Sequence, residues 1–165
     1  MSAFRQSGRQ WLLLVLALVG AGIAIYLTTV HYEQVPLLCS SQGLVNCERV
    51  TSSSYSVVPG TTIPITIPGL LWFLVSAVLA VGALRQSKRW IRTTQLVWGA
   101  LGMLTVLYLV YVELVILHTI CAWCTAVHVA IFVSLMLVII ECYLSDWNQE
   151  RAAEEEEEAR ITSLS

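Results

Sequence analysis

The chain has 165 residues and a formal net charge of −2. Its residues are 57% hydrophobic, with a mean hydropathy of +0.74. This composition lies well outside the balance of soluble globular domains and predicts an integral membrane protein. The sequence gives no sign of nucleic-acid binding, so nucleic acid is not an expected partner.

Four apolar stretches are long enough to cross a bilayer core of about 30 Å as helices. We expect these helices at about residues 11–30, 67–84, 94–117 and 121–144. The predicted fold class is an all-α integral membrane bundle of four transmembrane helices, with an outward-facing cap loop between helices 1 and 2. This membrane domain is expected to occupy residues 1–150. Residues 151–165 are rich in glutamate and are expected to form a disordered cytoplasmic tail.

The distribution of basic residues predicts the orientation, because Lys and Arg in short loops remain on the cytoplasmic side. Basic residues precede the first span, join the second span to the third and follow the fourth, and only Arg49 lies on the other side. Both termini are therefore expected to be cytoplasmic. The loop 31–66 and the turn 118–120 are expected to face the periplasm or the cell exterior.

Four of the five cysteines fall on that outer face. Cys39 and Cys47 lie in the large outer loop, while Cys121 and Cys124 form a C-x-x-C at the start of the fourth span. Disulfides persist in such oxidising compartments. Cys142 lies about 27 Å beyond Cys124 along the same helix, at 1.5 Å per residue, and is too distant to pair with the others.

Two outer cysteine pairs allow three interpretations. The first is one structural disulfide, Cys39 with Cys47, beside a coincidental C-x-x-C. The second is a zinc site with four thiolates, although zinc frameworks usually have two C-x-x-C motifs. The third is a thiol–disulfide relay, in which one pair meets an outside protein and the other meets an electron acceptor. The sequence has no flavin, haem or dinucleotide motif, so a lipid-soluble quinone is the expected acceptor.

Two ionisable residues in the spans are further candidates. His128 follows Cys124 by four residues, so the two share a helix face, and we expect His128 to hydrogen-bond a quinone carbonyl or pass it a proton. The alternative for His128 is an interhelical hydrogen bond. Glu113 lies about one turn before the outer end of the third span. We expect its carboxylate to reach the headgroups, the alternative being a buried neutral carboxyl that relays a proton.

The arrangement resembles the vitamin K epoxide reductase family over nearly the whole chain. The features that carry the resemblance are four spans, a C-x7-C pair after the first span, Ser53 six residues after Cys47, and C-x-x-C opening the last span. The resemblance implies a four-helix bundle around a quinone, covered by the outer loop. It implies that Cys124 reacts with the quinone, that Cys121 exchanges with Cys47, and that Cys39 with Cys47 forms the shuttle pair for the substrate protein. Ser53 would help to anchor the cap.

Two positions differ from the mammalian members of that family. Those members have a Tyr four residues after the second cysteine of C-x-x-C, where this chain has His128, and an Asn near the start of the second span, which the stretch 63–72 lacks. The chain thus resembles a prokaryotic single-domain homologue in the inner (cell) membrane, and the implied cofactor is menaquinone, ubiquinone or a related respiratory quinone. The predicted quinone-binding residues are Ser53, Cys124 and His128, and no metal is expected.

The sequence therefore predicts a membrane thiol oxidase that supports disulfide-bond formation. Many bacterial relatives carry a fused thioredoxin-like domain after the fourth helix, whereas this chain ends soon after Trp147. The expected partner is accordingly a separate thioredoxin-fold protein on the outer side, which this protein reoxidises. One alternative is a vitamin K quinone or epoxide reductase. Another is a non-enzymatic tetraspan scaffold with a structural loop disulfide.

Overall fold

The computed structural model describes the backbone of residues 2–33, 45–86 and 88–164, and it confirms the predicted helical bundle. Within these ranges, four helices are long and apolar enough to cross a membrane. The helices are α1 (Ser2–Glu33), the short α2 (Cys47–Thr51), α3 (Thr66–Arg85), α4 (Arg89–Tyr111) and α5 (Ala122–Leu164). A π-helical turn (Val112–Ile116) continues α4, so the third span ends in a wider turn than the sequence indicates.

The fourth long helix extends further than expected. It continues through residues 151–164, where its side chains are exposed as far as they are described. The disorder expected of this tail stays a prediction. Ala, Glu and Arg favour the helical state. Extending an existing helix also costs less free energy than starting a new one. The acidic segment is therefore helical in this structure.

Close helix packing is made possible by two glycines. Gly20 of α1 lies so near Phe73 of α3 that an added Cβ would overlap the ring, and a Cβ at Gly102 of α4 would lie 2.6 Å from the Trp72 indole of α3. Small residues permit this approach between membrane helices. α3 is thereby held between α1 and α4. The surrounding buried core consists of Ala17, Ala21, Phe73, Val106, Ala130 and Ile131.

A short cap covers one end of the bundle, which we call the cap end. α2 begins after Asn46, whose side-chain oxygen accepts a hydrogen bond from the Arg49 backbone N–H at 2.9 Å. A 3-10 turn (Ser54–Ser56) follows, and Gly60 takes a positive φ of 78° in the turn that returns the chain to α3. The Ile65 N–H donates to the Ser56 carbonyl at 2.8 Å. The cap is thereby tied to the start of α3.

Buried polar side chains occupy the opposite end of the bundle. Gln10 of α1 donates to Glu141 of α5 at 2.7 Å, and Gln95 of α4 donates to Gln10 at 3.1 Å. Gln10 and Glu141 are each only 1% exposed. These hydrogen bonds tie α1, α4 and α5 together at a level far from the cap.

Candidate functional site

The cap is fastened to the chain segment just before α5. Val45 forms a parallel bridge with Ile120, and the Asn46 N–H donates to the Ile120 carbonyl at 3.1 Å. Paired extended segments lie about 4.7–4.9 Å apart. Cys47 directly follows one side of this contact and Cys121 directly follows the other, and the two side chains are 1% and 0% exposed. The fold thus brings together two predicted site residues that are far apart in sequence.

Cys47 is in a disulfide, whereas Cys121, Cys124 and Cys142 are free. Cys39 lies outside the described residues, so the pairing of Cys39 with Cys47 stays a prediction. Cys142 is half-buried beside the core on the opposite side of the bundle from the cap. The free C-x-x-C is therefore next to a cysteine that is already oxidised.

Helix capping favours the thiolate at Cys121. This residue immediately precedes α5, and its sulfur accepts a hydrogen bond from the Cys124 backbone N–H at 3.2 Å. Its own carbonyl accepts the first helical bond from the Thr125 N–H at 2.9 Å. The pKa of the Cys121 thiol is lowered, chiefly by a hydrogen bond from the Cys124 side chain. A thiolate is the reactive form in disulfide exchange, so this arrangement prepares Cys121 as a nucleophile.

Glu113 does not reach the headgroups, and the expectation that it would was wrong. Its side chain is only 6% exposed, and its carboxyl oxygen accepts a hydrogen bond of 3.5 Å from the Cys121 backbone N–H. Glu113 and Cys124 also line one common cavity. The sequence contains a signal for this burial. Glu113 follows Gly99 and Val106 at seven-residue intervals, and both are buried on α4, so all three share one helix face.

An apolar cavity of about 380 Å³ lies between the four long helices, below the C-x-x-C. Its volume falls within the range of about 300–1,000 Å³ that small-molecule sites occupy. Residues of every long helix line it, including Leu27, Trp72, Val106 and Val127. The cavity therefore provides an apolar enclosure that Cys124 borders directly.

Cys124 and His128 are the ionisable groups among the described residues that line this cavity. They lie one turn apart on α5, as their spacing predicts. Trp72 and Trp98 form one wall. Their rings stack with centroids 6.4 Å apart, and the indole N–H of each donates to the backbone carbonyl of the other at 3.2 Å. This reciprocal pair fixes one wall of the cavity.

The cavity is open to the lipid-facing surface between α3 and α4. Pro68 and Leu71 line it from α3 and Thr105 lines it from α4, and all three are exposed. Leu71 is 61% exposed. A hydrophobic molecule dissolved in the bilayer therefore has a lateral route into the cavity.

Ser53 lines a smaller cavity, of about 70 Å³, between the cap and the bundle. Its hydroxyl donates to the Val50 carbonyl at 2.7 Å, and its carbonyl accepts from the Ser56 N–H at 3.0 Å. Cys124 and His128 line both cavities. Ser53 therefore stabilises the end of α2 and borders only the smaller cavity. Cys124 and His128 border both the smaller cavity and the larger apolar one.

A comparison with known protein families assigns this architecture. The model of the vitamin K epoxide reductase family matches residues 11–139. The chain belongs to the vitamin K epoxide reductase family. Membership makes it an oxidoreductase of membrane disulfide and quinone chemistry, and it confirms the resemblance seen in the sequence. No curated protein matches the chain.

Proposed function

We propose that this vitamin K epoxide reductase family protein is a dithiol:quinone oxidoreductase that reoxidises a separate protein. Electrons pass from the partner to the Cys39/Cys47 pair, then to Cys121 and Cys124, and finally to a quinone in the bilayer. The contact of Asn46 with Ile120 is the observation that supports this proposal, because Cys47 and Cys121 directly follow the two residues in contact. Each exchange breaks one S–S bond and forms another, so each step is nearly balanced in energy.

Cys121, Cys124 and His128 each have a different role in the proposed reaction. The Cys121 sulfur, prepared as a thiolate, is positioned to exchange with Cys47. Cys124 faces the apolar cavity and is positioned to deliver electrons there as its bond to Cys121 forms. His128 offers a hydrogen-bonding ring nitrogen on the same wall. A bound quinone supplies the sink for two electrons and two protons.

The cavity fits such an acceptor. Its lining is apolar and its opening faces the membrane, which suits a hydrophobic ring with an isoprenoid tail. Menaquinone, ubiquinone and related quinones share this chemistry. The long apolar α3 and α4 on either side of the opening allow entry from the lipid without passage through water.

A thioredoxin-fold protein on the outer side is the proposed partner, because such domains exchange disulfides with C-x-x-C pairs. The excess of basic residues in the other loops supports a periplasmic or extracellular position for the cap end and a cytoplasmic position for both termini. With Cys47 changed to Ser, Cys39 should retain the partner as a mixed disulfide that is visible on a non-reducing gel. The absence of any adduct would contradict the shuttle role.

Quinone reduction by the purified protein tests the catalytic part of the proposal. Protein reduced beforehand with a dithiol should convert a short-chain quinone to the quinol in one turnover. Cys121→Ser and Cys124→Ser should abolish this conversion, whereas Cys142→Ser should retain it. A non-enzymatic scaffold would show no conversion in the unaltered protein, and its helical fold would tolerate all three substitutions equally.

A further inference from the structure

Glu113 places a buried carboxyl group directly beside the reactive dithiol. Its side chain is 6% exposed, it accepts a hydrogen bond from the Cys121 backbone N–H at 3.5 Å, and it lines the smaller cavity together with Cys124. The π-helical turn that begins at Val112 carries it. Such turns occur frequently at functional sites. Electron transfer through the cysteines alone leaves this carboxyl without a chemical task.

The described lining of the smaller cavity, which Glu113 borders, gives this carboxyl neither a Lys nor an Arg partner. The other titratable groups in that described lining are His31 from α1, Tyr55 from the cap, and Cys124 and His128 of α5. Cys121 meets the carboxyl through its backbone N–H. An acidic residue inside a transmembrane bundle is costly and marks a proton or ion pathway by default. The carboxyl is thus available to exchange protons with a neighbouring sulfur.

The chemistry of the dithiol requires such a group. Oxidation of two thiols to a disulfide releases two electrons and two protons, and the reactive form of each sulfur is its thiolate. The N-terminus of α5 and hydrogen bonds from Cys124 stabilise the thiolate of Cys121. Cys124 lies inside the first turn of α5 and faces the apolar cavity, where water is a poor recipient for its proton. Glu113 is the carboxyl among the described residues that line the smaller cavity with Cys124. Cys124 and His128 line both that cavity and the apolar one.

We propose that Glu113 is the catalytic base that accepts the proton of the Cys124 thiol during electron transfer to the quinone. This inference rests on the proposed function. The S–H bond of Cys124 breaks and an O–H bond forms on Glu113, the Cys121–Cys124 bond forms, and two electrons leave for the quinone. The proton then passes from Glu113 to a quinol oxygen, which restores the carboxylate. Cys121 has already released its own proton to solvent on forming the thiolate, and the other quinol oxygen takes one proton from solvent, so atoms and charge balance.

Glu113→Gln separates proton transfer from positioning, because the amide oxygen still accepts the Cys121 N–H but cannot take a proton. The measurement is the single-turnover rate of quinone reduction by pre-reduced protein, recorded against pH. General-base catalysis contributes about 10²–10⁴-fold, so we expect Glu113→Gln to be about 100-fold slower at neutral pH. The deficit should shrink as pH rises, because hydroxide then removes the thiol proton directly. Equal rates at every pH, or a constant deficit across the pH range, would overturn the proposal.

Glu113→Asp is the second variant, since it retains an acid–base group on a shorter side chain. It should keep the shape of the wild-type pH profile at a reduced rate. A profile like that of Glu113→Gln would overturn the proposal even if the glutamine variant folded poorly. Failure of the unaltered protein to reduce quinone would instead refute the proposed function. Normal reduction with an unaffected Glu113→Gln would refute this inference alone.

Discussion

Gly102→Ala should narrow the cavity without touching the cysteines. A Cβ at this position would lie 2.6 Å from Cε2 of Trp72, and ordinary carbon contacts lie at about 3.5–4.0 Å, so the indole must move by about 0.9 Å or more. Trp72 is held by its hydrogen bond to the Trp98 carbonyl and by stacking on that ring. The displacement therefore breaks a fixed wall of the cavity.

The cost of this change follows from two effects. Overpacking a well-packed site costs about 1–3 kcal/mol, and loss of the indole hydrogen bond costs about 0.5–1.5 kcal/mol. If about 1.4 kcal/mol of this falls on quinone binding, the KM for quinone rises about tenfold. The assay is steady-state quinone reduction with a reduced dithiol donor, together with a thermal melt in detergent.

Gly22→Ala is the matched control, because an added Cβ at this exposed position on α1 has no neighbour within 4 Å. It should leave both the KM and the melting temperature close to those of the unaltered protein. An unchanged quinone KM in Gly102→Ala, with the melting temperature lowered, would show that the quinone does not use this cavity. Unchanged values of both would show that Trp72 yields freely, and would refute the reasoning about the wall.

Two further changes test the Cys121 thiolate and the buried hydrogen bonds of Gln10. Cys124→Ala should raise the pKa of Cys121, because it removes the side-chain hydrogen bond that chiefly lowers that pKa. Measured in protein that also lacks Cys142, the ultraviolet absorbance of the Cys121 thiolate should then appear at a higher pH. An unchanged titration would contradict the assigned cause. Gln10→Leu should lower the melting temperature in detergent, because Glu141 loses its 2.7 Å donor and an unsatisfied buried group costs about 1–3 kcal/mol. An unchanged melting temperature would mean that water replaces Gln10.

Much of the fold was predictable because a helix that crosses a bilayer must consist mainly of apolar residues. Apolar runs of sufficient length identified the four long helices, and the C-x-x-C at the start of the last one indicated the redox centre. The cap was less predictable, since the contact of Asn46 with Ile120 depends on tertiary structure. Only the resemblance to a known family implied that Cys47 and Cys121 meet. No local sequence pattern indicated it.

The position of Glu113 was predicted wrongly, and the reason is physical. The disorder expected of the acidic tail stays a prediction, although α5 continues through residues 151–164. Glu113 was expected at the headgroups because it lies near the end of a span. Its seven-residue register with Gly99 and Val106 was the better guide, since the packing face of a helix continues to its last turn.

A trapped disulfide between Cys47 and Cys121 tests the central claim most directly. In the Cys39→Ser/Cys124→Ser double variant, each of these two sulfurs loses its expected partner, and mild oxidation followed by peptide mapping should reveal a Cys47–Cys121 bond. In the Cys39→Ser/Cys121→Ser control, Cys47 should form little or no bond to Cys124. Recovery of Cys47 and Cys121 as free thiols after oxidation would contradict the relay, because the two pairs would then have no point of exchange.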